Sequence, residues 1–345
     1  MNQLWDPRRD PWMIDPSAFC SSTSFRDRAR HLLRYAILAP SSHNSQPWKF
    51  RLELDGIAVL RDLGQELPVA DPVGREAVIG IGASLFNLRV AAAHFELGSE
   101  VRILPHPQVP ELLARVRLSE EIPVERDLER LFRAIPMRHT NRRPYAHEAL
   151  QPREASRLAT LPVGARSAIR IVRHRRLQSR LAVLVAQGDR LQLADPAYRD
   201  ELASWVRPSH STRDDGMPGD CLGVPDFASP LSAWFVRSLA NGEIQGRNDA
   251  QLARDAPALA VVCSEDTVAG WIEAGELLER LLLEATEIGL QYGFLNQPVQ
   301  VHDLRCELRE LLDVALWPQV IVRLGHGKPV RRATPRRPLE QALLH

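Results

Sequence analysis

Residues 39–48, with the sequence APSSHNSQPW, decide the fold of this chain. They follow an amphipathic helical pattern that ends near Leu38 and precede a strand pattern that begins at Trp48. Serine and asparagine side chains hydrogen-bond to nearby backbone and proline fixes φ, so the stretch predicts a rigid loop that presents hydroxyl and amide groups. A helix cap followed by a turn is the ordinary alternative. Gln46-Pro47-Trp48 argues against it, because a long amide beside a fixed bend and a large aromatic ring suits a planar polar ligand such as a flavin or a base.

The composition is that of an ordinary globular protein that is larger than one common core. The 345 residues predict two domains or one large duplicated fold. A net charge of +1 gives no general attraction to nucleic acid or membranes. No run approaches about 18 uninterrupted apolar residues, and the N-terminus lacks the apolar core of a signal peptide. We therefore expect a cytoplasmic protein with free thiols and no metal site, since its four cysteines are scattered: Cys20, Cys221, Cys263 and Cys306.

The remaining pattern predicts a mixture of helices and hairpins. Residues 1–22 are rich in proline, aspartate and arginine and predict an extended arm, with a disordered segment as the equal alternative. Two alternating apolar runs around Asp55-Gly56 predict a hairpin with a type I′ turn. Residues 77–97 are apolar nearly all round and predict a buried central helix, with Gly98 as its C-cap. Further strands are predicted over 101–104, 113–118, 168–174, 258–264 and 318–324, and further helices over 24–37, 124–134, 153–161, from about 177, and over 272–288.

A weak internal repeat indicates two similar halves. Residues 83–98 and 274–289 align without a gap, and each stretch lies between helix–strand material and strand signals. The identical positions are Ala83/Ala274, Arg89/Arg280, Glu96/Glu287 and Gly98/Gly289. We expect an α+β fold of two similar halves, 24–122 and 124–345, each a mainly antiparallel sheet with a buried central helix. The second half carries a lid-like insert at about 195–235 and a basic C-terminal segment.

Two basic motifs are candidates for a phosphate clamp. In residues 138–145, RHTNRRPY, alternate positions of an extended loop point the same way, so two guanidinium groups and a hydroxyl can converge on one phosphate. A solvated arginine-rich linker is the ordinary alternative. Arg336-Arg337 near the C-terminus are followed by Leu339 and an apolar run, so we expect them inside folded structure.

Together these motifs resemble the nitroreductase-like FMN flavoproteins, and most closely the branch with two halves fused in one chain, the Acg-like NAD(P)H nitroreductases. The loop is similar to the family signature PSSxNSQPW, and residues 138–142 are similar to its R-[HR]-[ST]-x-[KR] segment. The resemblance covers most of residues 24–340 and implies a nitroreductase-like fold. It also implies a fused pseudo-dimer, in which one chain builds the site that ordinary members build between two subunits. Whether the chain dimerises further is left open.

The resemblance implies one FMN per chain. Arg138 and Thr140 would hold the phosphate, Arg142 would face the N1/C2=O edge, and the backbone of Asn296 or Gln297 would donate to N5. The Asn-Gln pair departs from the acidic residue and glycine that are common in the family. The implied cofactor-binding residues are Pro40, Ser41, Ser42, Asn44, Gln46, Arg138, His139, Thr140, Arg142, Asn296, Gln297, Arg336 and Arg337.

The implied function is an FMN-dependent NAD(P)H oxidoreductase that reduces nitroaromatic or quinone-like small molecules through flavin N5. Because the flavin carries the chemistry, no catalytic side chain or metal is expected. The alternative is an FMN-binding or sequestering protein whose lid covers the flavin and permits little turnover. Nucleic-acid binding through the arginine pairs is disfavoured by the near-zero net charge and by the lack of basic runs.

Overall fold

This computed structural model describes residues 11–20, 24–162, 164–330 and 332–344. The helices are α1 (Ser17–Cys20), α2 (Phe25–Ala36), α3 (Arg75–His94), α4 (Arg126–Glu129), α5 (Pro152–Ala159), α6 (Arg175–Ala194), α7 (Pro196–Trp205), α8 (Ser232–Leu239), α9 (Gly242–Asp255), α10 (Val268–Glu287), α11 (Gln297–Gln300), α12 (His302–Leu312) and α13 (Leu339–Ala342). The strands are β1 (Trp48–Leu52), β2 (Gly56–Arg61), β3 (Gly98–Ile103), β4 (Leu112–Ser119), β5 (Ser167–Val172), β6 (Val206–Arg207), β7 (Met217–Pro218), β8 (Ala258–Ser264), β9 (Gln291–Phe294), β10 (Trp317–Gly325) and β11 (Leu343–Leu344).

Two mainly antiparallel sheets form the framework, and apart from β11 their strands are arranged in the same way. The first sheet has the order β11-β1-β2-β4-β3 and the second the order β5-β8-β10-β9. Each is built along the chain as two strands, a 20-residue helix (α3 or α10) and two more strands. The predicted α+β fold with antiparallel sheets and buried central helices is confirmed. The shared order is what a duplication produces, although the duplication itself stays a prediction.

The C-terminal segment crosses back to the first half of the chain. The short strand β11 adds to the edge of the first sheet in parallel with β1, where Leu343 is opposite Phe50. Residues 332–338 must therefore run past the loop at 39–48 to reach that edge. This crossing brings Arg336 and Arg337 to the loop.

The two central helices cross at a pair of glycines. A Cβ on Gly82 would lie 2.3 Å from the carbonyl oxygen of Ile272, and one on Gly275 would lie 2.1 Å from that of Ile79. The contacts are reciprocal. Gly82 and Gly275 are 193 positions apart in the sequence, as are Ile79 and Ile272, whereas the sequence repeat aligns residues that are 191 positions apart. Helix α3 is long and apolar enough to cross a membrane, but 83% of its apolar window is buried inside the protein, as in a core helix.

Two of the predicted glycine roles are wrong. The hairpin β1–β2 forms as expected, but neither Asp55 nor Gly56 has the positive φ of a type I′ turn. Gly56 is required for another reason, since a Cβ there would lie 2.4 Å from the carbonyl oxygen of Val116. Gly98 does not cap α3, which ends four residues earlier at His94, but begins β3 where the backbone of Ile122 approaches closely.

The insert and the arm differ from their predicted forms. Helices α6–α9 all lie between β5 and β8, so the insert begins before 195 and ends beyond 235. Leu181 and Val185 of α6 and Ala253 of α9 pack in one core cluster with β8, which makes the insert part of the fold. In the arm, α1 forms a helical turn where extended chain was expected, and Phe19 stacks on Phe95 at 4.1 Å between ring centroids. Residues 1–10 and 21–22 of the arm lie outside the described residues.

Candidate functional site

The loop at 39–48 is held in an unusual backbone conformation. Residues Ser42–Asn44 form a 3-10 turn, and His43, Asn44 and Gln46 have φ values of 53°, 56° and 57°. Each left-handed non-glycine residue costs about 1–2 kcal/mol, so other contacts must stabilise the loop. One is local, because the Ser41 hydroxyl accepts a hydrogen bond from the Gln46 backbone N–H at 2.9 Å.

Asn44 supplies one set of those contacts. Its buried amide nitrogen donates to the carbonyl oxygens of Gly216 and Pro335, both at 3.0 Å. Its amide oxygen accepts from Arg336 Nη1 at 2.9 Å. Asn44 therefore joins the loop to the insert and to the C-terminal segment, and its side chain is engaged by protein groups.

Gln46 makes a similar connection. Its amide nitrogen donates to the carbonyl oxygen of Asp214 at 2.8 Å, and its amide oxygen accepts from the backbone N–H of Arg337 at 2.8 Å. The Arg337 guanidinium donates to the Gln46 carbonyl oxygen and forms an ion pair with Asp62 at 3.1 Å. Asn44 and Gln46 thus fasten the segment 214–217, which we call the lid segment, onto the loop.

Beside the loop lies a cavity of about 170 Å³. Apolar side chains from α3, α10, β9, β10 and the lid segment make up much of the wall, and a few polar groups point into it. An apolar slot with polar groups at its edge suits a planar aromatic ring that carries its own donors and acceptors. The lining residues are Pro40, Ser41, Ser42, His43, Glu76, Ile79, Gly80, Arg142, Met217, Leu278, Phe294, Asn296, Gln300 and Val320.

Arg142 is the cation of this cavity wall. Its guanidinium donates to the carbonyl oxygen of Cys221 at 3.4 Å and lies 3.7 Å from the sulfur of Met217, so it also contacts the insert. Asn296 also lines the cavity, and its side-chain oxygen accepts from the backbone N–H of Ile321 at 3.0 Å. Arg142 and Asn296 therefore line one cavity, and the flavin contacts predicted for them stay predictions.

Gln297 is turned away from the cavity. Its amide nitrogen donates to Asp189 Oδ1 at 3.1 Å and to Asp249 Oδ2 at 2.8 Å. Burial raises the pKa of Asp189 to about 8, and the neighbouring Asp249 contributes to this rise. Gln297 thus links its loop to α6 and α9, and only its backbone remains for the role predicted from sequence.

Sequence reasoning missed three polar residues of the cavity wall, His43, Glu76 and Gln300. The Glu76 carboxyl pairs with Ser42, accepts from Gln300 Nε2 at 3.0 Å and pairs with Arg75 at 3.1 Å. Burial raises the pKa of Glu76, and burial lowers the pKa of His43 to about 4, so His43 is neutral at pH 7. Glu76 gave no signal because an acid in the first turn of a helix is common at exposed positions as well.

Two buried arginines meet at the other end of the loop. Arg138 Nη2 and Arg336 Nη2 both donate to the carbonyl oxygen of Leu38, at 3.0 and 3.1 Å, and Arg336 also donates to that of Ala39 at 3.0 Å. The side chains are only 2% and 3% exposed. Nε and Nη1 of Arg138 and Nε of Arg336 have no hydrogen-bond partner among the described residues. Buried unpaired donors on adjacent like charges are costly unless an anion completes them.

The pKa shifts agree with this electrostatic picture. Burial lowers the pKa of Arg336, and the nearby Arg138 lowers it further. The fully buried Glu279 on α10 has Oε1 3.3 Å from Arg138 Nε. Burial raises the pKa of Glu279 to about 7, although Arg138 acts in the opposite direction. We call Arg138, Arg336 and Glu279 the arginine cluster.

The arm covers the arginine cluster. The Arg336 guanidinium lies 4.8 Å from the centroid of the Trp12 ring, and His139 meets that ring edge-on at 4.6 Å. The Trp12 indole donates to the carbonyl oxygen of Thr334 at 2.9 Å. Burial, with Arg138 and Arg336 adding to it, lowers the pKa of His139 to about 4, and Thr140 is half-buried beside it.

The cavity and the arginine cluster adjoin along a single stretch of backbone. Carbonyl oxygens at 38–39 bind the arginines, and side chains at 40–42 line the cavity. One chain therefore brings together the loop from its first half and the basic residues from its second. Pro40, Ser41, Ser42, Arg142 and Asn296 are at the cavity, and Arg138, His139 and Arg336 are at the cluster. Asn44, Gln46, Gln297 and Arg337 are engaged by protein groups, and the cofactor contacts predicted for them remain predictions.

Curated relatives cover nearly the whole chain. It is 31% identical over 334 residues to the uncharacterized protein Rv3127 of Mycobacterium tuberculosis H37Rv, spanning 90% of this chain and 92% of that protein. It is 28% identical over 319 residues to a protein of the same organism named "Putative NAD(P)H nitroreductase acg", spanning 91% and 95%. No protein-family model matches the sequence.

Solved structures show a weaker likeness. Nitroreductase A from Vibrio parahaemolyticus is 13% identical, with a TM-score of 0.37, over 61% of this chain and 73% of that one. The assignment therefore depends on the sequence relatives. On their evidence the chain belongs to the nitroreductase-like family of oxidoreductases, in the group that includes the Acg protein.

Proposed function

We propose that this protein is an FMN-dependent NAD(P)H oxidoreductase of nitroreductase type, with one FMN per chain and small nitroaromatic or quinone-like acceptors. The observation that carries the proposal is the position of two buried, incompletely bonded guanidinium groups next to an apolar cavity along one loop. A mononucleotide has the matching parts, an anionic phosphate and a planar polar ring. When bound, FMN would supply the hydride-transfer chemistry.

At the phosphate end, Arg138 and Arg336 would hold the anion. Nε and Nη1 of Arg138 and Nε of Arg336, which have no hydrogen-bond partner among the described residues, suit phosphate oxygens, since guanidinium–phosphate hydrogen bonds are charge-assisted and often bidentate. Thr140 adds a hydroxyl on the same loop. Trp12, which covers Arg336, would keep water from this end of the site.

At the ring end, Ser41, Ser42 and Asn296 supply polar groups and Arg142 supplies a positive charge at the edge of the cavity. That charge would stabilise negative charge on the pyrimidine side of a bound ring. The lining residues match the chemistry of the ring, but the cavity of about 170 Å³ is smaller than the roughly 300–1,000 Å³ of typical ligand pockets. Met217 or Arg142 must therefore move outward to admit the ring.

The test is an anaerobic titration of the FMN-loaded protein with NADPH and NADH, followed by the visible absorbance of the flavin. We expect bleaching with one reductant equivalent per chain and recovery of the colour on addition of a quinone or a nitroarene. A protein that takes up no FMN would contradict the proposal as a whole. A yellow protein that is bleached by dithionite but not by NAD(P)H would contradict the oxidoreductase part.

A specific observation favours a second candidate function, FMN sequestration. The lid segment is hydrogen-bonded to Asn44 and Gln46, and Met217 closes one wall of the cavity. A lid that stays closed would cover the face on which a nicotinamide must stack. Loosening it with Gln46→Ala separates the two functions, because bleaching by NADPH should appear or accelerate in the variant only if the closed lid blocks turnover.

We further propose that the partners are small molecules and that the two halves act as a pseudo-dimer within one chain. Contact of the loop with Arg138 and Arg336 in a single polypeptide supports this reading. A cytoplasmic location and the formation of a further homodimer stay predictions, and sedimentation of the purified chain would decide the second.

A further inference from the structure

Glu279 lies at the centre of the arginine cluster without a complete set of partners. The side chain is 0% exposed, and neither carboxyl oxygen has a hydrogen bond among the described residues. Its nearest charge is Arg138, with Nε 3.3 Å from Oε1, and Arg336 also acts on it from the C-terminal segment. Asn87 of α3 is close enough to Glu279 to lower its pKa, and Tyr292 of β9 also lies near it; burial raises the pKa of Tyr292 to about 12.

A bound phosphate would change the charge balance of this cluster. Arg138 and Arg336 contribute two positive charges, whereas Arg337 is paired with Asp62, a carboxylate that it shares with the partly exposed Lys49. A dianionic phosphate would balance the two guanidinium groups, which leaves no counter-ion for an ionised Glu279. An uncompensated charge in a buried site is so costly that the group neutralises by taking up a proton.

We propose that Glu279 is a positioning residue that couples occupation of the arginine cluster by the phosphate of a flavin mononucleotide to the uptake of one proton. Before binding, the ionised carboxylate holds Arg138. On binding, one proton from solvent joins the carboxylate, Arg138 turns its charge to the phosphate, and the neutral acid gains an O–H donor. This inference rests on the proposed function, because it takes FMN as the ligand.

The test measures protons directly. Flavin-free protein is titrated calorimetrically with FMN at pH 8 in HEPES and in Tris, whose ionisation enthalpies differ, and without phosphate or sulfate, which would compete for the cluster. We expect more than half a proton taken up per FMN. Riboflavin, which lacks the phosphate, is the matched ligand control and should take up none. Riboflavin also controls for Asp189, whose pKa of about 8 means that it could take up or release protons at this pH.

Glu279→Gln is the matched protein control, and it should bind FMN without proton uptake. If this variant does not fold, the wild-type protein alone still decides. Its FMN dissociation constant should rise up to about tenfold per unit between pH 7 and 8.5, a range in which a phosphate with a second pKa near 6 stays dianionic. His139 stays neutral throughout.

The outcomes are distinct. FMN binding with no proton uptake, or with equal uptake in Glu279→Gln, would overturn the inference and leave the proposed function standing. Failure of the wild-type protein to bind FMN would overturn both. A dissociation constant that does not change with pH would overturn the role of Glu279, as zero proton uptake would.

Discussion

Replacing Arg138 with methionine should destabilise the protein in a manner that depends on pH. The methionine keeps the aliphatic part of the side chain, while the guanidinium is lost with its hydrogen bond to the Leu38 carbonyl oxygen, and Glu279 loses the charge at 3.3 Å. Since Arg138 opposes the burial that raises the pKa of Glu279 to about 7, that pKa must rise further in Arg138→Met. The folded variant then keeps Glu279 protonated at a pH where the unfolded chain has released the proton.

The sign and size follow from linkage. Folding with proton uptake loses stability as pH rises, by about 1.4 kcal/mol per unit for one proton. In the wild type, the free energy of unfolding falls as pH rises from the pKa of Glu279 in the unfolded chain to its folded pKa of about 7, and it then stops falling. In Arg138→Met the fall continues above pH 7, because the folded pKa is higher. The destabilisation relative to wild type should therefore be roughly 3 kcal/mol greater at pH 9 than at pH 6, within the 3–5 kcal/mol of a broken buried ion pair.

Urea unfolding of the two proteins at pH 6, 8 and 9 measures this difference. Arg138→Met/Glu279→Gln should lose the pH dependence, and Arg133→Met, which removes an exposed arginine nearby, should never show it. In Arg138→Met, FMN affinity should fall by about 1.5–3 kcal/mol, roughly 10- to 150-fold, and Arg138→Met/Glu279→Gln should not recover it. A destabilisation of equal size at all three pH values would refute the assigned role of Glu279.

The remaining predictions concern the loop, the helix crossing and the assembly. Asn44→Ala removes three buried hydrogen bonds, about 1 kcal/mol each, so limited proteolysis near the lid segment should accelerate; an unchanged cleavage rate would mean that Asn44 does not hold it. Gly82→Ala should cost about 3 kcal/mol in urea unfolding, because its Cβ would meet backbone at 2.3 Å, while Gly64→Ala, whose nearest atom is a side-chain oxygen at 3.4 Å, should be nearly neutral. Co-expressed Asn44→Ala and Arg138→Met chains should not restore tight FMN binding, since each intrachain site keeps one lesion; recovery would show that sites form between chains.

The sequence predicts the framework well because periodicity and capping are local. The helix predicted after Thr23 or Ser24 begins there, with Ser24 accepting from the Asp27 backbone N–H, and Gly289 ends α10 with a φ of 80°. The same logic fails where a glycine serves a distant neighbour. Gly56 and Gly98 are required by backbone that belongs to other strands and loops, and no local pattern reveals that contact.

Only part of the site could be predicted from the sequence, because local motifs do not reveal partners that are distant along the chain. Arg138 and Arg336 could be selected by their motifs, but the partners of Asn44 lie far along the chain at Gly216 and Pro335. Glu279 was not identified, although Gly275 and Leu283, four residues to either side of it, both lie on the buried face of α10. An acid flanked in this way by buried residues is a usable signal for a buried carboxylate.

The most direct test of the phosphate clamp is equilibrium binding of FMN and riboflavin to the flavin-free chain at pH 7, followed by quenching of flavin fluorescence. Two buried arginines that hold the phosphate predict one FMN per chain, bound at least about 100-fold more tightly than riboflavin, which corresponds to some 3 kcal/mol. Equal affinities for the two flavins, or no binding of either, would contradict the assignment of Arg138 and Arg336 as the phosphate clamp.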